Sequence, residues 1–144
     1  MADGTRLAVK LWLPDPGVQE RVPVVLEYIP YRKSDGTYWG DEPHGDYLAG
    51  HGIAFARVDI RGTGNSEGTL IPYEYSDIEQ QDGEVLIDWL SKQPWSTGKV
   101  GMFGISWGGF NAIQMAGRNP PALKAFIAVD ATDDLYQEDV HYID

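Results

Sequence analysis

Apolar positions along the chain gather into five short runs, and their spacing separates half-buried strands from fully buried ones. Over residues 7–13, Leu7, Val9, Leu11 and Leu13 alternate with Ala8, Lys10 and Trp12. That period of two is the mark of a strand with one face on a core. The cluster Pro14-Asp15-Pro16-Gly17 closes it as a turn. Residues 22–29 are nearly continuous and β-branched, and 53–60 are similar, as strands covered on both faces should be. Residues 100–105 and 123–129 complete the set. Between the runs the period changes to that of helices. Ser76-Asp77-Ile78-Glu79 reads as a capping box, Ser76 accepting from the Glu79 amide while Glu79 reaches back. Ile78, Val85, Leu86, Trp89 and Leu90 then share one helical face. Gly83 weakens that helix, and Pro94 forbids its continuation. A second helix is predicted over 107–118, stopped by Asn119-Pro120-Pro121.

Strand, loop and helix alternate through the second half. This predicts an α/β fold: a mostly parallel sheet with helices on both faces. The first run is expected as an antiparallel addition at one edge. There are no internal repeats and no linker, so residues 1–144 form one domain.

Composition narrows the function classes. A chain of 144 residues that is 42% apolar, with five Trp and eight Tyr, has the makings of a core. A net charge of −11 argues against nucleic acid and anionic membranes as partners. The acidity otherwise reads as a solubility feature rather than an acidic recognition face. The absence of cysteine excludes disulfides and thiolate metal sites. No apolar run is long enough to span a bilayer. Residues 1–6 carry no signal-peptide pattern, so a cytoplasmic location is the default expectation.

The chemistry is concentrated at residues 101–109, Gly-Met-Phe-Gly-Ile-Ser-Trp-Gly-Gly. Gly104, Ser106 and Gly108 form a Gly-x-Ser-x-Gly core between a predicted strand and a predicted helix. In that context the sharp turn lifts the serine hydroxyl off the sheet edge as a nucleophile. Gly109 lets the new helix lie close to the sheet, and the amide of Trp107 would face a developing oxyanion. The competing reading is a glycine-rich strand–helix turn with an incidental serine. The loop 61–68, Arg-Gly-Thr-Gly-Asn-Ser-Glu-Gly, lacks the Lys-Ser/Thr ending of a phosphate loop. It is expected to be a structural turn, with Asp59 and Arg61 as candidate partners. Asp41-Glu42-Pro43-His44 suits no metal geometry and reads as a flexible acidic loop. Tyr38, Trp39, Tyr47, Tyr73 and Tyr75 are expected in loops at the edge of the site. There they would either line a substrate pocket or pack under a cap. No cofactor is implied, since the chemistry needs side chains, backbone amides and water alone.

Taken together these motifs resemble the CocE/NonD branch of the α/β-hydrolases: cocaine esterases, α-amino-acid ester hydrolases and X-prolyl dipeptidyl-peptidases. The matching stretches are Asp3-Gly4-Thr5-Arg6-Leu7-Ala8, Pro30-Tyr31-Arg32-Lys33, the 59–68 turn, Trp89-Leu90 with Gln93-Pro94-Trp95, Gly98-Lys99-Val100-Gly101, and the serine motif. The resemblance implies Ser106 as nucleophile, Tyr31 as an oxyanion donor through its phenol, and the Trp107 amide as the second donor. The family often has Tyr where Trp107 stands, and the Trp107 side chain is expected to matter little. The implied substrate is a small ester, or an X-prolyl peptide or amide, cleaved through an acyl-enzyme. The triad order is Ser, acid, His, and the resemblance places the acid and the histidine beyond residue 144. The sheet is therefore expected to be incomplete, lacking the cap and the C-terminal strands. An internal alternative would use Asp130 and His141, the latter being the one histidine after Ser106. His44 and His51 precede the serine and are read as loop or solvated residues. Asp133-Asp134-Leu135-Tyr136 resembles a lead-in to a helical cap. A different reading of the whole chain is a non-catalytic half-hydrolase acting as a binding or assembly module. An exposed sheet edge could then support a homo-oligomer.

Overall fold

The computed structural model describes residues 1–17, 20–70 and 72–134. Five strands form one sheet in the spatial order β1-β3-β2-β4-β5. These are β1 (Val9–Trp12), β2 (Val22–Ile29), β3 (Ala54–Asp59), β4 (Ser96–Ile105) and β5 (Leu123–Val129). β1 runs antiparallel to β3, and every other pairing is parallel. The sheet is thus mostly parallel with one antiparallel edge, as the alternation of elements predicts.

Alternation along the strands sends side chains to opposite faces. On one face Val24, Leu26, Tyr28, Ala56, Val58, Val100 and Met102 pack with Leu86, Ile87, Leu90, Ala112 and Met115. The latter belong to α2 (Asp77–Ser91) and α3 (Trp107–Arg118). The two helices meet closely at Gly83, where a β-carbon would lie 2.6 Å from Met115 Cε. The residue that weakens α2 by propensity is therefore the one that lets α3 approach it. Ser76 accepts from the Glu79 amide at 3.4 Å, which is half of the predicted capping box. The other half does not form, because the Glu79 side chain turns inward.

The other face carries a helix that the apolar pattern did not reveal, α1 (Tyr38–Gly50). Asp41-Glu42-Pro43-His44 is helical rather than a flexible loop, and Tyr38, Trp39 and Tyr47 stand on this helix rather than in loops. Pro43 lies inside it and removes one backbone donor. Tertiary contact compensates. A β-carbon at Gly45 would sit 2.6 Å from Trp12 Cε2, so the missing side chain is what lets α1 lie on β1. His44 stacks edge-on against Phe103 with ring centroids 5.4 Å apart, so it is a packed helical residue, not a loop one. His51 ends the helix exposed, its Nδ1 2.7 Å from the Tyr47 carbonyl.

β5 is an outermost strand, and Phe126 and Ile127 on it are 46% and 61% exposed. Among the described residues no helix is long and apolar enough to cross a membrane. Leu135, Tyr136 and His141 lie outside the described residues, and with them half of the cap lead-in and the histidine of the internal triad alternative.

Candidate active site

The order of the strands fixes where a site can form. From β2 the chain moves outward to β3, then crosses back past β2 to β4. Loops leaving the carboxyl ends of β2 and β4 therefore diverge, and the crevice between them is where open α/β sheets bind ligands. Tyr31 follows β2, and Ser106 follows β4.

Ser106 sits in a strained turn. Its φ of 53° and ψ of −121° fall where L-residues are rarely found. Two backbone bonds hold it there, Ser106 N–H to the Val129 carbonyl at 2.9 Å and Phe110 N–H to the Ser106 carbonyl at 3.0 Å. The side chain is exposed and makes no cap bond to α3. The glycines around it explain how the turn closes. A β-carbon on Gly104 would overlap the Gly108 carbonyl group and lie 2.6 Å from Gly108 Cα. One on Gly109 would lie 2.7 Å from the Val129 carbonyl oxygen. The sequence motif and the backbone geometry are one fact seen twice.

Tyr31 reaches the same place from the other loop. The Trp107 backbone N–H donates to the Tyr31 hydroxyl oxygen at 3.0 Å. The phenol and the amide therefore converge beside Ser106, with the phenol hydrogen left to point elsewhere. Behind Tyr31 the loop is tightly set. Arg32 adopts a left-handed φ of 69°. Asp59, buried at the end of β3, accepts from the Lys33 amide at 2.5 Å, the Lys33 ammonium at 3.1 Å and the Asn65 amide at 2.9 Å. Asp59 thus ties the Tyr31 loop to the glycine-rich turn.

That turn does not pair Asp59 with Arg61, as the sequence suggested. Arg61 instead makes a two-pronged bond to Asp82 on α2 at 2.8 and 2.9 Å, and reaches Asp3 at 2.6 Å and Thr5 at 2.7 Å. Two carboxylates satisfy the fork of one buried guanidinium. The same contact holds the Asp3 carboxyl well below the usual range.

A pocket of roughly 230 Å³ opens on the serine, lined by Glu27, Tyr31, Thr37, Ile105 and Ser106. Its floor is ionic. Glu27 pairs with the fully buried Arg57 at 2.8 Å, and Arg57 donates to Thr37 Oγ1 at 2.7 Å. Sequence reading missed this pair, since Glu27 and Arg57 interrupt apolar strands and only their adjacency in the β2–β3 register brings them together.

Of the aromatics expected at this edge, Tyr75 packs on Trp107 and Phe110, with ring centroids 5.0 and 4.9 Å apart. Tyr73 is 78% exposed. Among the described residues no group of three or more His, Asp or Glu side chains is placed to hold a metal.

The family model of X-Pro dipeptidyl-peptidases, the S15 family, matches residues 3–143. Cocaine esterase from Rhodococcus sp. (strain MB1 Bresler) is 36% identical over 139 residues, covering 95% of this chain and 23% of its own length. A CocE/NonD family hydrolase from Staphylococcus aureus superposes with a TM-score of 0.81 at 25% identity, over 96% of this chain and 27% of that one. An α-amino acid ester hydrolase superposes at 0.67 with 32% identity, over 88% and 23%. The chain spans about a quarter of the length of the curated relatives it matches. Its sheet is thus an incomplete part of an α/β-hydrolase sheet. The matched residues, the serine turn and the order of the strands agree: this chain belongs to the X-Pro dipeptidyl-peptidase (S15) family, with a cocaine esterase and a CocE/NonD family hydrolase among its relatives.

Proposed function

We propose that this chain carries the nucleophile and oxyanion half of a serine hydrolase that cleaves esters or X-prolyl amides through an acyl-enzyme on Ser106. The observation that carries the reading is the convergence of the Trp107 amide and the Tyr31 hydroxyl, 3.0 Å apart, beside an exposed serine in a strained turn. A substrate carbonyl oxygen entering the crevice takes the place of the phenol oxygen at the amide. The Tyr31 O–H then turns to the same oxygen, so both donors serve the tetrahedral intermediate. Ser106 Oγ bonds to the acyl carbon, the alcohol or amine departs with a proton, and water releases the acid.

A base must take the serine proton. His44 is packed on Phe103 and His51 on Tyr47. The chain covers only 23% of the length of cocaine esterase, which supports an acid and a histidine supplied from sequence beyond Asp144, with Asp130 and His141 as the internal alternative. Alone, the chain should hydrolyse activated esters feebly, by stabilisation of the oxyanion and not by a full triad. Release of p-nitrophenol from p-nitrophenyl acetate, compared with Ser106→Ala, tests this. Slow turnover above the variant supports the reading. Turnover at enzyme-like rates that depends on Ser106 overturns the missing base.

A second reading is an assembly module without turnover. The exposed apolar side chains of β5 at the sheet edge favour it. Sizing chromatography separates the two: a tight dimer favours assembly, and a monodisperse monomer argues against it.

A further inference from the structure

The side chain of Trp107 is engaged as firmly as its amide. Its indole Nε1 donates to Glu79 Oε1 at 2.8 Å. Glu79 stands in the first turn of α2 and is only 5% exposed. The Asn111 side chain and the Tyr75 backbone favour the charged form of this carboxylate as well. Around it, Gln80 donates to Asn111 at 3.0 Å, Asn111 donates to the Tyr28 carbonyl at 3.1 Å, and the Tyr28 hydroxyl donates to the Glu79 carbonyl at 3.2 Å. The seam between α2, α3 and β2 is therefore a polar network that ends on the residue after the serine.

Resting on the nucleophile reading above, we propose that Glu79 is the positioning residue of the serine turn: by fixing the Trp107 indole it fixes the Trp107 amide that faces Tyr31. Trp107 is the first residue of α3 and adjoins the strained Ser106. A backbone in that region persists only where its surroundings over-determine it. The two bonds to Ser106 restrain the serine, and the Glu79–indole bond restrains the next residue. A carboxylate is a costly way to fill a buried site if packing were its sole purpose. Burial indeed pushes the Glu79 carboxyl above the usual range, while the indole, Asn111 and the Tyr75 amide oppose that rise. The charged and titratable groups facing it are Asp82 on its own helix, with Arg61 beyond, and Tyr28 from β2. From α3 come the neutral indole and the Asn111 amide.

The test uses amide hydrogen exchange and the indole N–H resonance of Trp107 in the 144-residue chain, with Trp107→Phe to assign the indole. In Glu79→Ala the Trp107 backbone amide should exchange about tenfold faster. Glu79→Gln keeps an acceptor and should restore protection to within about threefold. Ser76→Ala removes the cap of the same helix and should leave the Trp107 amide unmoved relative to the rest of α3. The wild-type indole resonance should titrate with pH, and Glu79→Gln should abolish that titration. Equal protection of the Trp107 amide in wild type and Glu79→Ala, or equal loosening by Ser76→Ala, overturns the proposal. Should Glu79→Ala fail to fold, Trp107→Phe, which keeps a ring but removes the indole donor to Glu79, should speed exchange of the residue-107 amide likewise, and unchanged protection there overturns the proposal. The exchange result is independent of ester hydrolysis, so failure of the nucleophile reading would appear separately as turnover unaffected by Ser106→Ala.

Discussion

Two glycines three residues apart in β4 should respond oppositely to the same added methyl group. At Gly104 a β-carbon overlaps the Gly108 carbonyl group and lies 2.6 Å from Gly108 Cα. All three obstacles are backbone atoms, so no side chain can rotate away. At Gly101 the nearest atom is the Ala125 carbonyl oxygen at 3.7 Å, ordinary contact. Overpacking typically costs about 1–3 kcal/mol, and more where backbone must move. Gly104→Ala should therefore cost about 3 kcal/mol or more, because the serine turn has to open by roughly an ångström to reach a normal separation. Gly101→Ala should gain about 0.5 kcal/mol by removing a flexible residue from a strand. With a urea slope of about 1–3 kcal/mol/M for a small domain, the midpoints of the two variants should differ by at least about 1 M. Urea unfolding followed by far-UV circular dichroism reads this directly. Coincident midpoints would refute the tight Gly104–Gly108 approach on which the geometry of Ser106 rests.

Other consequences are open to measurement. Tyr31→Phe should lower Ser106-dependent p-nitrophenyl acetate turnover about 100-fold with little change in KM, the usual loss of one oxyanion donor; an unchanged rate removes Tyr31 from the mechanism. Asp82→Ala strips a buried partner from Arg61 and should cost about 3 kcal/mol in urea unfolding, the lower end for such pairs because Asp3 and Thr5 remain bonded to it. Asp3, Glu42 and Glu67 are all held below their ordinary range, by Arg61, by Tyr38 with Lys10, and by Arg6 respectively. Their stabilisation is present above the unfolded carboxyl range and is lost as pH falls through the lowered values. Glu79, raised by burial, has the opposite sign: its contribution is present at low pH and fades as pH rises. Thermal unfolding of Asp3→Asn should accordingly be less acid-sensitive than that of the wild type, whereas Glu79→Gln should raise Tm at neutral pH relative to wild type.

Much of the architecture was legible because it is written locally. β2, β5 and α3 occupy the residues that hydrophobic period and the flanking turn signals indicate. The serine turn was legible for the same reason, since Gly104, Ser106 and Gly108 meet within five residues. α1 was hidden because Gly40, Pro43, Gly45 and Gly50 argue against a helix on propensity. What stabilises it is contact with Trp12 and Phe103, which are far away in sequence. The supports of the site were hidden likewise. Asp59 meets Lys33 across 26 residues and Glu79 meets Trp107 across 28. The capping-box pattern also misdirected the reading of Glu79. A tertiary indole and a neighbouring amide outcompeted the local backbone donor for its carboxylate.

The central claim is that the Ser106 hydroxyl forms a bond with acyl carbon while the phenol of Tyr31 and the next amide hold the oxygen. Peptide mapping by mass spectrometry after exposure to p-nitrophenyl acetate tests it most directly. The account predicts a single acetyl group on Ser106, absent in Ser106→Ala and slowed in Tyr31→Phe. Acetylation confined to surface lysines, with Ser106 unmodified, would contradict it.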